Sequence, residues 1–221
     1  SSTRTHYEYL DFSSNVPVGE NYLGIDVSHY QNEINWQDVD SVMHGTDSIS
    51  FAFIKATEGI SLIDSRFEEN VKGISNTDLK FGFYHFFIPS ISATEQAKYF
   101  IQNIKDKPFT LKPVLDVESL DGVNSSQLVD SIRVFKRIVE KPLLTSVIIY
   151  TYSNFYLENL KTHLGSDQLI WIANYNNDFK FHREDYAQIW QFTDHGTVDG
   201  ISTEVDLNIA KKMSWKALWR K

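Results

Sequence analysis

The chain has 221 residues, enough for one substantial domain, and its 42% hydrophobic and 14% aromatic content can build a packed core. Its formal charge of −8, from 21 basic and 29 acidic residues with no Lys/Arg cluster, argues against nucleic acid or an anionic membrane as the main partner. It has no cysteine, so disulfides and thiolate metal sites are excluded, and no apolar run approaches the roughly 20 residues of a membrane span.

Residues 1–20 are polar and aperiodic, with Ser13, Ser14, Asn15 and Pro17, and read as an arm or linker. The chain starts Ser1-Ser2-Thr3-Arg4, without an initiator Met or an apolar signal core, which reads as a mature or trimmed form. Apolar runs of strand character then follow at 22–27, 50–56, 80–87, 113–117, 146–150, 169–173, 187–191 and 204–207. Helical patterns fill several gaps. Residues 64–75 align Phe67, Val71 and Ile74 on one face. Ser92-Ala93-Thr94-Glu95 has capping-box form and opens a stripe of Ala93, Ala97, Phe100, Ile101 and Ile104. Asn124-Ser125-Ser126 can cap a third helix that buries Leu128, Ile132, Phe135 and Ile138 or Val139. Lys136, Arg137 and Lys141 lie towards its C-terminus, where they suit the dipole. Beyond Ile170 the strands are too close together for full helices between them.

Strands alternating with helices indicate parallel βαβ units, and eight of them indicate a closed barrel. The expected fold is therefore α/β: a single irregular (β/α) barrel over 21–221, with helices missing or short in the last third. A doubly wound open sheet is the alternative. It would carry a glycine-rich phosphate loop after its first strand, and Gly24-Ile25-Asp26-Val27-Ser28 is not one.

Lys112-Pro113-Val114-Leu115-Asp116-Val117-Glu118-Ser119 begins as a buried strand and ends in two acids that point the same way. Asp26 ends the first strand and Asp206 sits in the last. Four carboxylates on one rim would repel one another and leave at least one protonated near neutral pH. A protonated acid beside ionised ones is the equipment for cleaving a glycosidic bond. A single Asp at a strand end is ordinarily a turn or cap residue, so the residues alone leave the structural and functional readings both open. Rings at strand ends can stack on the apolar faces of sugars. Tyr84, Tyr150 and Trp190 are placed in such a groove, and Trp171 and Phe192 in packing. His29 and His85 lack metal-ligand spacing and suit hydrogen bonding better. A metal-dependent barrel hydrolase using the acids for Mg²⁺ or Ca²⁺ is a further alternative. Neither a nucleophile elbow nor an H-E-x-x-H motif is present.

These blocks resemble the glycoside hydrolase family 25 lysozymes, the Chalaropsis-type muramidases. The match begins with Gly24 to Gln31 and Ile34-Asn35-Trp36, then Phe51 to Gly59, Asp64, Phe67 and Asn70, and Gly82 to Phe86. It continues through Ser92-Ala93, Gln96-Ala97, Pro113 to Glu118 and Ile149-Tyr150-Thr151. It closes with Trp171-Ile172-Ala173, Tyr175, Ile189 to Phe192 and Val205 to Asn208. The resemblance implies a flattened eight-stranded barrel that cleaves the β-1,4 bond between N-acetylmuramic acid and N-acetylglucosamine in peptidoglycan, with retention. Glu118 carries over as proton donor, and Asp116, Asp26 and Asp206 as the other acids. Asp116 is expected to orient the substrate's 2-acetamido group, which attacks the anomeric carbon; a direct Asp nucleophile is the competing account. Lys55, His85, Tyr175 and Gln191 join Tyr84, Tyr150 and Trp190 as expected substrate contacts. No cofactor or metal, no protein partner and a monomeric, extracytoplasmic enzyme are expected. A wall-binding barrel without catalysis and an N-acetylglucosaminidase are the alternatives. The sequence departs from the family pattern at Ser202-Thr203-Glu204, where a Gly is usual, at Phe192, where Tyr is frequent, and in the arm at 1–20.

Overall fold

The computed structural model describes residues 21–44, 47–176 and 178–220, so the expected arm at 1–20 lies outside the described residues. Eight strands form the barrel: β1 (Asn21–Val27), β2 (Asp47–Glu58), β3 (Lys80–Phe86), β4 (Val114–Asp116), β5 (Ile148–Tyr152), β6 (Ile170–Ala173), β7 (Ile189–Gly196) and β8 (Val205–Lys211). Each pairs with the next in chain order, and β8 pairs with β1, so the sheet closes on itself. Short strands at Met43–His44 and Leu62–Ile63 pair with β2 outside this ring.

The eighth strand corrects the expectation of parallel units throughout. β1 to β7 are parallel neighbours, but β8 runs antiparallel to both β7 and β1. A parallel return needs a crossover of a dozen or more residues. Only residues 197–204 separate β7 from β8, and they contain no helix. The start of β8 therefore meets the C-terminal ends of the other strands, and Asp206 pairs in register with Asp26.

The period of two along each strand separates two apolar cores. One parity, including Phe51, Phe53, Val114, Ile148, Trp171 and Ile189, fills the barrel. The other, including Ile25, Ile54, Phe83, Leu115, Ile149 and Ile172, faces outward beneath the helices. Gly24 belongs to the inner set, where an added Cβ would lie 2.4 Å from the Phe51 ring. The end where β1 starts is plugged by the 3₁₀ turn Lys212–Leu218, whose Trp215 stacks on Tyr22 with centroids 4.4 Å apart.

Four helices cover part of the outer face: α1 (Trp36–Ser41), α2 (Phe67–Ile74), α3 (Ala93–Ile104) and α4 (Ser125–Leu143). The last three are those the periodicity predicts. Asn124 and Gln127 form the reciprocal capping box of α4. At α3 only half of the expected box forms. Ser92 accepts from the Glu95 amide, while the next residue, Gln96, turns inward to bond the backbone of Ile88 and Ile91. After β5 the described residues form only short helical segments, at Ser153–Phe155, Tyr156–Leu160, Phe181–Arg183 and Lys212–Leu218, matching the expected helix-poor last third. One end of the barrel is thus left uncovered around the strand termini that carry the acids.

Candidate active site

Asp26, Asp116, Glu118 and Asp206 line one cavity with Tyr84, Tyr150 and Trp171. The cavity opens into a groove of about 430 Å³, along which lie Tyr30, Gln31, Lys55, Glu58 and Phe86. Asp26, Asp116 and Asp206 come from β1, β4 and β8, and Glu118 from the segment just beyond β4, brought together by closure of the sheet.

The acids form two coupled pairs. Asp26 and Asp206 hydrogen-bond to each other. Burial and the neighbouring Asp26 charge push Asp206 up to about 10. Burial also raises Asp26, opposed by hydrogen bonds from Asn208 (2.7 Å) and Gln191 (2.9 Å). Asp116 and Glu118 form the second pair: burial and the contact with Glu118 drive Asp116 well above its ordinary range, while burial raises Glu118 against its hydrogen bond with Asp116, which lowers it. Two carboxyls in contact share a proton because both cannot ionise cheaply. Lys55 opposes the rise in this second pair. Its ammonium lies 2.6 Å from Glu58 and over the Phe86 ring. One oxygen of Asp116, Oδ1, is buried and accepts no hydrogen bond from the described residues. A substrate N–H would satisfy it.

Tyr84 and Tyr150 are pushed far above the ordinary phenol range by burial and by the nearby carboxylates, so both remain hydroxyl donors. Tyr152 is raised to about 12 by burial and by Glu118. Tyr175 is half-exposed and bonds Gln191.

Two expected contacts do not belong to the groove. His85 is fully buried on the outer face, against Phe100 and Phe135, and is bonded to Thr57 and Gln96. Trp190 packs outward with Phe179, Phe181 and Phe192, and its indole N–H donates to the Asn174 carbonyl. The reason is the strand period: Tyr84 and His85 are neighbours, as are Trp190 and Gln191, so only one of each can face inward. Gln191 faces inward but is itself buried, bonded to Tyr150, Tyr175, Asp26 and Asp206. Trp171, expected in packing alone, lines the cavity as well as the inner core, and donates to Asn208 at 2.8 Å. Asn208 was missed, although it lies two residues beyond Asp206 on the same strand face and the alternation could have found it. His29 bonds Asp64 at 2.8 Å. Among the described residues no three His, Asp or Glu groups are arranged to hold a metal ion.

The family model for glycosyl hydrolases family 25 matches residues 25–201. The chain belongs to that family. Its relatives include the uncharacterized protein YegX of Escherichia coli (strain K12), 34% identical over 198 residues, which span 90% of this chain and 72% of that protein. Lysozyme M1 of Streptomyces globisporus is 32% identical over 200 residues, covering 84% of this chain and 66% of that one. The crystal structure of the bacterial lysozyme from Streptomyces coelicolor superimposes with a TM-score of 0.78 at 31% identity, covering 90% of this chain and 96% of that one. The family 25 glycosyl hydrolase from Bacillus anthracis gives the same TM-score at 27% identity. The uncovered barrel end of this family 25 chain is therefore that of a glycoside hydrolase.

Proposed function

We propose that the protein is a lysozyme, hydrolysing the β-1,4 bond between N-acetylmuramic acid and N-acetylglucosamine in peptidoglycan outside the cytoplasm, with residues 21–221 as its catalytic domain. The observation that carries the reading is the convergence of Asp26, Asp116, Glu118 and Asp206 on one open cavity walled by tyrosines and Trp171. The relatives named lysozymes support the substrate class.

In the reactive form the proton shared by Asp116 and Glu118 sits on Glu118, the more exposed of the two. Glu118 gives it to the leaving glycosidic oxygen as the bond to C1 breaks. The substrate's 2-acetamido oxygen attacks C1 from the opposite face and closes a cyclic oxazolinium ion, the substrate-assisted exception to the two-carboxylate scheme. Asp116, now anionic, accepts the acetamido N–H on its unpartnered Oδ1 and offsets the positive charge. Glu118 then takes a proton from water, which opens the ring at C1. Two inversions give net retention. Tyr84, kept protonated, donates to a substrate oxygen, Tyr150, whose hydrogen goes to Gln191, meets the glycan as an acceptor, and Tyr175 and Lys55 contact the glycan along the groove.

Mass spectrometry of products from defined peptidoglycan tests the reading. Muropeptides ending in reducing N-acetylmuramic acid are expected. Reducing N-acetylglucosamine ends would make the enzyme a glucosaminidase, and wall binding without products would make it a binding barrel.

A further inference from the structure

Gln191 is fully buried, and each side of its amide is used twice. Its oxygen accepts from the hydroxyls of Tyr150 (2.8 Å) and Tyr175 (2.6 Å). Its nitrogen donates to Asp26 (2.9 Å) and Asp206 (3.2 Å). A flip of the amide would turn its oxygen onto the Asp26 anion, which has nothing to donate, and would take its hydrogens away from both carboxyls. The amide is therefore locked with both hydrogens towards the carboxyl pair.

The pair is unequal. Asp26 accepts a second amide hydrogen bond, from Asn208 at 2.7 Å, whereas Asp206 has only the longer Gln191 contact among the described residues. Asn208 is itself aimed by the Trp171 indole N–H, which occupies its oxygen at 2.8 Å. Two carboxyl groups in contact need one proton between them, and it stays on the member with fewer donors, because donors stabilise the ionised form.

We infer that Gln191 is a positioning residue: clamped by Tyr150 and Tyr175, its amide acts with that of Asn208 to hold Asp26 as the anion and Asp206 as the proton-bearing partner, so that this pair presents one negative charge to the reacting bond instead of two. This assignment refines the hydrolase reading above and rests on it for its kinetic consequence. Asp206 then serves as a hydrogen-bond donor to Asp26. The groups around Asp206 are consistent with this role: Asp26 from β1, Asp194 from β7 and Glu118 beyond β4 oppose a further negative charge. Tyr152 of β5 and Tyr175 beyond β6 also feel its field and remain neutral. A doubly charged pair would raise the cost of leaving Asp116 and Glu118 both ionised once Glu118 has given up its proton, so the single charge keeps the second pair able to work.

The test joins carboxyl ¹³C NMR with kinetics on the full chain. In the parent at pH 7, the Asp206 carboxyl is expected to be protonated and that of Asp26 ionised. In Gln191→Leu, where only Asn208 still donates to Asp26, the titrations of the two carboxyls should move towards each other, and kcat should fall with KM near the parent value. Asp206→Asn, whose amide still donates to Asp26, should lose about fivefold in kcat, against about a hundredfold or more for Asp206→Ala. An ionised Asp206 at pH 7 in the parent would overturn the inference. So would Gln191→Leu resonances unchanged from the parent, or Asp206→Asn as impaired as Asp206→Ala. The NMR arm needs no turnover. A parent that released no reducing ends would therefore sink the hydrolase reading without touching the protonation assignment.

Discussion

Asp26 and Asp206 face each other across an antiparallel strand pair, 180 positions apart in sequence and direct partners in register. No other arrangement of the last strand would bring them together. Had β8 run parallel, its first residues would lie at the opposite end of the barrel, where β1 starts. The reversal of one strand thus adds the fourth carboxyl to the cavity and sets up the coupled titration of the site.

Glu118→Gln should reduce the release of reducing ends from purified peptidoglycan by about a thousandfold, the loss expected when a general acid is removed. Glu118 is only partly buried, and an amide removes the charge that opposes ionisation of Asp116. Thermal unfolding should therefore occur at or slightly above the parent temperature. Equal rates in variant and parent would rule out Glu118 as the proton donor.

The carboxyl cluster should make the fold less stable as pH rises. Asp206 titrates at about 10 in the folded chain against an ordinary value of 3.8, so between these limits the folded state holds a proton that the unfolded state has released. Stability then falls with rising pH, by at most about 1.4 kcal/mol per unit for one proton. Urea unfolding of Asp206→Asn from pH 5 to 9 should give a shallower decline, with the largest gain over the parent at pH 9. Parallel curves for the two proteins would refute this.

His85 should act in the opposite direction. Burial lowers its pKa from 6.5 to about 4, so between these values the unfolded chain binds a proton that the folded chain refuses. Stability is lost as pH falls through that window. His85→Asn should be less stable at neutral pH, because the Thr57 and Gln96 bonds are disturbed, yet show a flatter acid limb below pH 6.5. An acid limb as steep as the parent's would mean that another group is responsible.

Trp171 and Trp190 test the two faces of the sheet. Trp171→Phe frees Asn208, the donor to Asp26, and should lower kcat about tenfold. Trp190→Phe removes only the bond to the Asn174 carbonyl and should cost about 1 kcal/mol of stability, with kcat and KM unchanged. Steady-state kinetics beside denaturant titration would separate the two. A kinetic defect in Trp190→Phe would return that ring to the groove.

All eight barrel strands and three of the four barrel helices were legible as elements because each has a local cause. The alternation at Ile25, Phe53 and Phe83, the stripes at Phe67 and Phe100, and the cap at Asn124 all act within a few residues. The six-residue α1 was passed over, since one turn and a half with only Trp36 and Val39 buried leaves little periodicity to read. The eighth strand was placed but its direction was not. Within the site the four acids were legible as strand-end carboxyls, while His85 and Trp190 were assigned by their chemistry against the alternation that excludes them.

The order of apolar and polar residues along this chain determined that it would form strands and helices in this succession, and which acids could stand at strand ends, because those preferences arise from neighbouring side chains and backbone. Which carboxyls touch, which of them keeps a proton, and which face each aromatic ring occupies were decided only when the sheet closed. Those properties depend on through-space distances of a few ångströms between residues up to 182 positions apart, as Asn208 is from Asp26, and on the exclusion of water from the ring they form.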